Sequence, residues 1–439
     1  MGGKQIIRLR ECKKYQESEE IKELARGDKK NVFVRNRKLT LTDLIIQIMT
    51  RTGLTAVMEL IHYFKSKKME EVSTQAYFKA KQNLNPEVFV RMNDYYMKLF
   101  YKSESEVKLW NGYLILAVDG SIAEIPNSNK NREKYGTQGN SKCKGPARAL
   151  INGLFDVLNN FYLDLQIANV KTGEKKLAEE NLKAIERIGI KQKVLVIFDR
   201  GYPSLELLNY LDEHKIDYII RIRSNLYKKE REDAGLKDCR IKIDHTKARL
   251  DVIKKSNEEL YEKIKDKGSI ETRCISSKTP SDNDFAVLTS LPEEIAADKI
   301  IEAYFMRWKI EEAYNTLKNK MKFENVSGKA CIYVKQDFYA QIYVYNMMED
   351  FRHSTEEEIL EKTKNYKYTY RINQNITIGI FKGELVYLLL ENDDKVSSEM
   401  YIKIQMHIKK YVLPIRKSKS HKRKGNMTNK YACNQKPSF

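Results

Sequence analysis

Residues 113–121 read YLILAVDGS, a short and almost continuous apolar run that ends in an acid. Such a run is typical of a central strand that is buried on both faces of a sheet. Residues 194–199, VLVIFD, repeat the arrangement, so Asp119 and Asp199 each stand at the carboxyl end of a predicted strand. A buried carboxylate costs free energy unless it is paired or binds a cation. The two segments therefore predict an α/β core and mark a candidate site.

Each acid by itself has an equally common explanation, which is a turn residue that hydrogen-bonds the local backbone. The pair is more informative than either acid alone. Two carboxylates on what could be adjacent strands would form an oxygen-rich site that suits Mg²⁺ or Mn²⁺. A third acid from another segment would complete such a site.

The segment 304–318, YFMRWKIEEAYNTLK, offers two candidates for the third acid, on a predicted long helix that begins near Asp298. On a helical wheel, one sector of about 60° beside the apolar face holds four polar residues: Tyr304, Arg307, Glu311 and Lys318. Glu312 falls away from both faces, so the wheel selects Glu311. Taken alone, an i,i+4 ion pair from Arg307 to Glu311 is the more common reading. The two strand-end acids favour a role in a metal site.

The charge of the chain favours a polyanionic partner. Its 439 residues include 80 Lys and Arg against 60 Asp and Glu, a formal charge of +20. This suits nucleic acid or a membrane surface, although such an excess also serves solubility. The six scattered cysteines form no C-x-x-C pair, which argues against a structural zinc site and a disulfide framework. Without a long apolar segment or a signal-peptide core, we expect a cytoplasmic protein.

The first part of the chain, residues 1–105, is predicted to be helical, because its apolar residues recur at spacings of three and four. Ser73 is a predicted N-cap. The following helix would expose Lys79 and Lys81, which makes the region a candidate DNA-binding domain. A plain helical bundle explains the same pattern equally well.

Residues 106–330 alternate apolar runs with amphipathic segments, which predicts a catalytic α/β core with a mixed sheet. Asn159 and Asn160 separate two strand-like runs and predict a hairpin turn. A charged stretch at about 225–280, with short β-like pieces, is predicted to be a β-rich insertion. The remaining predicted regions are a C-terminal helical region, 331–415, and a basic tail that is disordered in isolation, 416–439.

These motifs resemble the IS4-like cut-and-paste transposases of bacterial insertion sequences. The polar residues of 304–318 match their Y-x2-R-x3-E-x6-K signature. VDGS at 118–121 and FDRGY at 198–202 resemble the segments that carry their two catalytic aspartates. The resemblance spans about 115–330 and implies a ribonuclease-H-like core whose β-rich insertion precedes the catalytic glutamate helix. It also implies an aromatic residue that holds a flipped base, for which Tyr202 and Tyr210 are available.

The resemblance further implies a site for two divalent ions, Mg²⁺ or Mn²⁺ in its place. The residues implied to be catalytic and metal-binding are Asp119, Asp199 and Glu311. The residues implied to contact the DNA backbone near the cut end are Tyr304, Arg307 and Lys318. Phosphodiester cleavage at two metal ions needs no histidine or lysine base, which agrees with the dispersed histidines of this chain.

The implied function is a DNA transposase that cuts an insertion sequence at its terminal inverted repeats and joins it to target DNA. The reactions are two-metal-ion phosphodiester hydrolysis and transesterification. The implied partners are double-stranded DNA, as repeat ends and as target, and a second copy of the chain in a paired-end complex within the bacterial nucleoid. Two alternatives stay open: a DNA-binding protein that has lost catalysis, and a structure-selective DNA nuclease on the same core.

Overall fold

The computed structural model describes residues 3–35, 37–139, 145–223, 225–235, 237–278 and 284–415. The predicted basic tail, 416–439, lies outside these residues. Within the described ranges, none of the helices combines the length and the apolar character that crossing a bilayer requires.

The N-terminal region is helical, as predicted. Its helices are α1 (Lys4–Gln16), α2 (Glu19–Arg26), α3 (Leu41–Met49), α4 (Ala56–Ser66), α5 (Thr74–Asn83) and α6 (Glu87–Tyr101). The Ser73 side chain accepts a hydrogen bond from the backbone N–H of Ala76, which confirms it as the N-cap of α5. Thr40 and Asp43 form a reciprocal capping box that starts α3.

The prediction that Lys81 is exposed is wrong. Its side chain is fully buried, and its Nζ donates to Ser327 Oγ at 2.7 Å and to the Asp337 carboxylate. Arg51 Nη1 donates to the same carboxylate at 3.0 Å. Burial lowers the pKa of Lys81 to about 8. The helical pattern around Lys81 contains no sign of this contact, because Asp337 is 256 residues away in the chain.

The middle of the chain folds around one eight-stranded mixed sheet, in the order β3-β2-β1-β4-β5-β8-β7-β6. The strands are β1 (Tyr113–Glu124), β2 (Arg148–Asp156), β3 (Phe161–Asn169), β4 (Lys193–Phe198), β5 (Asp217–Ile222), β6 (Asp238–Asp244), β7 (Ser269–Lys278) and β8 (Asp284–Thr289). β4 runs parallel to its neighbours β1 and β5, and the other pairs are antiparallel. This mixed sheet fits a ribonuclease-H-like core.

Local signals set the early part of this sheet. The predicted hairpin turn joins β2 to β3, and Asn160 adopts φ 58°, a left-handed conformation that asparagine tolerates better than most residues. Residues 114–118 of β1 and 195–198 of β4 are fully buried, which explains their continuous apolar runs. The helices that flank the sheet in this part are α7 (Asn129–Tyr135), α8 (Glu174–Ile188) and α9 (Leu205–Glu213).

The segment predicted as a β-rich insertion holds more helix than strand. Besides β6 and β7 it contains α10 (Lys228–Ala234), α11 (Lys247–Ser256) and α12 (Glu258–Ile264). The side chains of Thr246 and Asn257 cap α11 and α12. Highly charged sequences gave these short helices little apolar periodicity, which is why the pattern failed to indicate them. The two strands extend the main sheet through β8.

The predicted long helix from Asp298 is broken. It consists of α13 (Ala297–Phe305), α14 (Trp308–Asn315) and a short π-helix (Thr316–Lys320). Around Met306 and Arg307 the backbone N–H groups bond to carbonyls three residues back, so the chain tightens between α13 and α14.

The C-terminal region consists of α15 (Cys331–Thr363), α16 (Gln374–Leu390), α17 (Asp394–Lys409) and the paired short strands β9 (Tyr370–Ile372) and β10 (Val412–Pro414). Helix α15 packs on α6 and on β3. Its buried Asn346 donates at 2.7 Å both to Asn93 Oδ1 and to the carbonyl of Tyr162. Helices from both ends of the chain thus pack against the sheet, and the domain boundaries at 105, 330 and 415 stay predictions.

Candidate active site

Asp119 and Asp199 belong to neighbouring parallel segments of the sheet. β1 and β4 pair up to Val118 and Phe198, and the two acids are the next residues in the chain. Asp199 follows the end of β4, but β1 continues for five residues beyond Asp119, so the prediction that Asp119 ends its strand is wrong. Both acids still lie at the edge of the sheet where the β1–β4 pairing ends. The sequence-based expectation that the two strands are adjacent is confirmed.

Glu311 reaches this edge from α14, and Arg307 links it to the first acid. Arg307 Nη2 donates to Glu311 Oε1 at 2.7 Å, and Arg307 Nη1 lies 3.7 Å from Asp119 Oδ1. The Arg307 side chain is 7% exposed. Glu312 is exposed, as the helical wheel predicts. Arg307 therefore forms the i,i+4 ion pair with Glu311 and at the same time approaches Asp119.

Tyr304 links the helix to the second acid. Its hydroxyl donates to Asp199 Oδ1 at 3.1 Å, and the residue is 2% exposed. In this arrangement Tyr304 and Arg307 hold the three carboxylates in place. Their predicted DNA contacts stay predictions, because both side chains are buried against the acids.

Lys318 lies against the end of β1, beyond Asp119. Its Nζ donates to Ser121 Oγ at 2.8 Å and to the carbonyl of Ile122 at 2.5 Å. Glu324 is 3.8 Å from the same Nζ. Lys318 thus connects the π-helix to the strand that carries Asp119, and its predicted DNA contact also stays a prediction.

The electrostatics of the edge are unfavourable for a further negative charge. Burial raises the pKa of Asp119 to about 7, Arg307 opposes this shift, and the carboxylates of Glu311, Glu174 and Asp199 add to it. At neutral pH Asp119 is therefore close to half protonated. A cation at this edge would be stabilised by the same charges that raise this pKa.

The donor chemistry of the acids fits a hard divalent cation, since all of them offer carboxylate oxygens. Among the described residues, no three His, Cys, Asp or Glu side chains are close enough together to form a ready metal site. Arg307 and Tyr304 account for this, because each holds carboxylates by direct contact. An ion would have to draw the acids away from those two partners.

Sequence reasoning missed three residues that shape the edge. The Tyr314 hydroxyl donates to the carbonyl of Asp119 at 2.8 Å. Gly153 faces Asp119 across the β1–β2 pair, and a Cβ on it would lie 2.9 Å from that hydroxyl. Glu174, at the start of α8, lies against the residue that follows Asp119. The only local signal in the sequence was a glycine within each of the two predicted strands, Gly120 and Gly153. Glycine inside a strand often marks a place where another group approaches the backbone closely.

Of the two tyrosines considered for a flipped base, Tyr202 is 2% exposed. Its hydroxyl accepts a hydrogen bond from Asn152 Nδ2 at 3.0 Å. Tyr210 is partly buried and stacks on His214 with ring centroids 4.1 Å apart. A base could reach the Tyr202 ring only if its surroundings opened.

The family described as Transposase DDE domain matches residues 110–347, more than half of the chain. This segment includes all three acids and the residues of the predicted signature. No curated protein matches the chain. Among solved structures the chain is similar to a piggyBac transposase, in its synaptic complex with hairpin DNA, at 10% identity and a TM-score of 0.44. That similarity covers 90% of this chain and 84% of the other.

Proposed function

The chain belongs to the family of proteins with a transposase DDE domain, and from this premise we propose that it is an IS4-like insertion-sequence transposase. It would cut the element at its terminal inverted repeats and join it to target DNA. The observation that carries the proposal is that Asp119, Asp199 and Glu311 lie at one edge of the sheet. Arg307 contacts both Asp119 and Glu311, and Tyr304 donates to Asp199.

We propose Asp119, Asp199 and Glu311 as the ligands of two divalent ions, Mg²⁺ or Mn²⁺. When bound, such ions supply activation of the attacking oxygen and stabilisation of the departing 3′-oxygen. The chain itself supplies a rigid frame, because Asp119 and Asp199 each follow a run of fully buried strand residues. Burial is the main cause of the raised pKa of Asp119, and the neighbouring carboxylates that add to it would favour cation binding.

Arg307 and Lys318 are proposed to hold the DNA strand at the cut. Arg307 already satisfies two carboxylates, and its buried Nε has no partner among the described residues. If the acids turned towards metal ions, its guanidinium would be available for a phosphate, with the bidentate geometry that such contacts favour. We propose that Lys318, whose Nζ donates to Ser121, contacts the same DNA strand.

The partners we propose are double-stranded DNA, both repeat ends and target, and a second copy of the chain. The formal charge of +20 supports a DNA partner, since neutralised phosphates release counterions. Two element ends must be held together for joining, so we propose a homodimer in a paired-end complex.

The proposal is tested with purified protein, Mg²⁺ and a short duplex that ends in the repeat flanking its own gene. We expect cleavage at the repeat end, followed by joining to a target duplex. Cleavage without joining would indicate a nuclease, and binding without cleavage would indicate a protein that has lost catalysis.

Glu311→Gln and Glu312→Gln form a matched pair for this assay, because the neighbouring Glu312 is exposed. Loss of a residue that only supports a metal ligand lowers metal affinity or activity by about 10–100-fold, and Glu311 is proposed to be a ligand itself. We therefore expect Glu311→Gln to lower the cleavage rate by more than about 100-fold while DNA binding in a gel-shift assay is retained. Glu312→Gln should cleave at the wild-type rate, and the reverse result would refute the assignment.

A further inference from the structure

Glu174 is the first residue of α8, and its carboxylate lies against β1 beside Asp119. A Cβ atom placed on Gly120 would be 2.7 Å from both Cδ and Oε1 of Glu174. A side chain at this position would have to displace the carboxylate. The glycine that follows Asp119 therefore leaves the space that this carboxylate occupies.

Glu174 also lies near the turn that follows the second acid. Tyr202, three residues after Asp199, is 2% exposed, and its hydroxyl accepts a hydrogen bond from Asn152. Burial raises the pKa of Tyr202, and the nearby Glu174 carboxylate adds to this shift. One carboxylate thus lies close to the residue after Asp119 and to the loop after Asp199. The two segments that carry the acids share Glu174 as a common neighbour.

Glu174 differs from Glu311 in its ion pairs. Glu311 has Arg307 as a counter-ion, whereas none of the ion pairs found between described residues involves Glu174. The N-terminus of α8 stabilises the negative charge of its first residue. Glu174 therefore brings a carboxylate without a paired cation to the part of β1 that follows Asp119.

We propose that Glu174 is a fourth carboxylate ligand of the divalent ions, an inference that rests on the metal-dependent function proposed above. Mg²⁺ is surrounded by six oxygens and is commonly bound by one or two carboxylates together with waters, so two ions leave room for a fourth carboxylate. Glu174 approaches from α8, while Glu311 approaches from α14. The ions would then be held from two helices as well as from the two neighbouring segments of the sheet.

The test is a calorimetric titration of the full chain with Mn²⁺ in the absence of DNA, so that the measured quantity is ion affinity and not activity. Glu174→Gln keeps the size and the oxygen of the side chain but removes its charge. We expect its Mn²⁺ affinity to fall by about 10-fold or more. Glu186→Gln is the matched control, since Glu186 is an exposed acid near the other end of α8, about 18 Å away. It should bind Mn²⁺ like the wild type.

Asp119→Asn separates failure of this inference from failure of the proposed function. If Asp119→Asn loses Mn²⁺ affinity while Glu174→Gln stays within about twofold of the wild type, Glu174 is no ligand and the proposed function stands. If the wild-type chain binds no Mn²⁺, both the inference and the metal-dependent function are overturned.

Gly120→Ala supplies a second, independent variant. Its methyl group would displace the Glu174 carboxylate, which is the far end of a flexible and exposed side chain, so folding should be little affected. We expect the same loss of Mn²⁺ affinity as in Glu174→Gln, and no further loss when the two changes are combined. Wild-type affinity in Gly120→Ala, or additive losses in the double variant, would overturn the inference. Thermal unfolding of each variant confirms that the titrated protein is folded.

Discussion

Replacement of Asp119 by asparagine should stabilise the metal-free protein while it removes catalysis. The carboxyl group has a pKa of about 7 in the folded chain against an ordinary 3.8, with burial as the main cause. Each pKa unit corresponds to about 1.4 kcal/mol. Ionised Asp119 therefore costs the folded state about 4 kcal/mol, a cost that an amide avoids.

The effect has a defined pH window. Below about pH 4 the carboxyl is protonated in both the folded and the unfolded chain, so its charge contributes nothing. Between pH 4 and 7 only the unfolded chain releases the proton, and the stability of the wild type falls as pH rises. Above pH 7 both states are ionised and the full cost remains. The gain from Asp119→Asn should be about 2 kcal/mol at pH 5 and about 4 kcal/mol at pH 8.

Urea unfolding of the wild type and Asp119→Asn at these two pH values, with a chelator present, measures the gain directly. Glu312→Gln is the control, because this exposed acid lies on the same helix as Glu311 and has no bond to Asp119. A loss of stability in Asp119→Asn at pH 8, or a gain that is equal at both pH values, would refute the reasoning. The negative charge of Asp119 would then be stabilised by contacts other than those of Arg307.

Two further predictions concern the partners of buried acids. Tyr304→Phe removes the hydrogen bond to Asp199, a bond to a charged group that contributes about 1.5–3 kcal/mol, so single-turnover cleavage should slow by roughly 10-fold or more. An unchanged rate would show that this bond does not position Asp199. Asp337→Asn leaves Lys81 and Arg51 buried without their counter-ion, and urea unfolding should show a loss of about 3–5 kcal/mol. Asp394→Asn, which breaks an exposed pair, should cost less than about 1 kcal/mol, and equal losses in both variants would contradict this view.

The strands and the identity of the acids could be predicted from the sequence, because their signals are local. Continuous apolar runs specify β1 and β4, which are buried on both faces. Asp119 and Asp199 are indicated by the apolar run that each one follows, and the choice of Glu311 over Glu312 follows from position around a helix. The continuation of β1 beyond Asp119 was missed, because residues 119–122 are only partly buried and break the apolar run. The breaks in the helix from Asp298 did not disturb this choice, since α14 by itself keeps Glu311 towards the sheet edge.

The helices of the inserted segment and the burial of Lys81 could not be predicted in this way. Short, highly charged helices lack the apolar periodicity that reveals longer ones. Lys81 is buried because Asp337, far away in the chain, supplies a counter-charge. Local patterns contain no information about such a partner.

The sequence by itself indicated the three candidate acids, because position after an apolar run and position around a helix single out Asp119, Asp199 and Glu311. Only the tertiary structure decided how those acids are held. In the folded chain Arg307 lies between Asp119 and Glu311. The Tyr304 hydroxyl donates to Asp199, and the Glu174 carboxylate lies against Gly120. The reason is physical: periodicity reports the side of an element on which a residue lies, whereas charge balance and space depend on contacts between elements that are far apart in sequence.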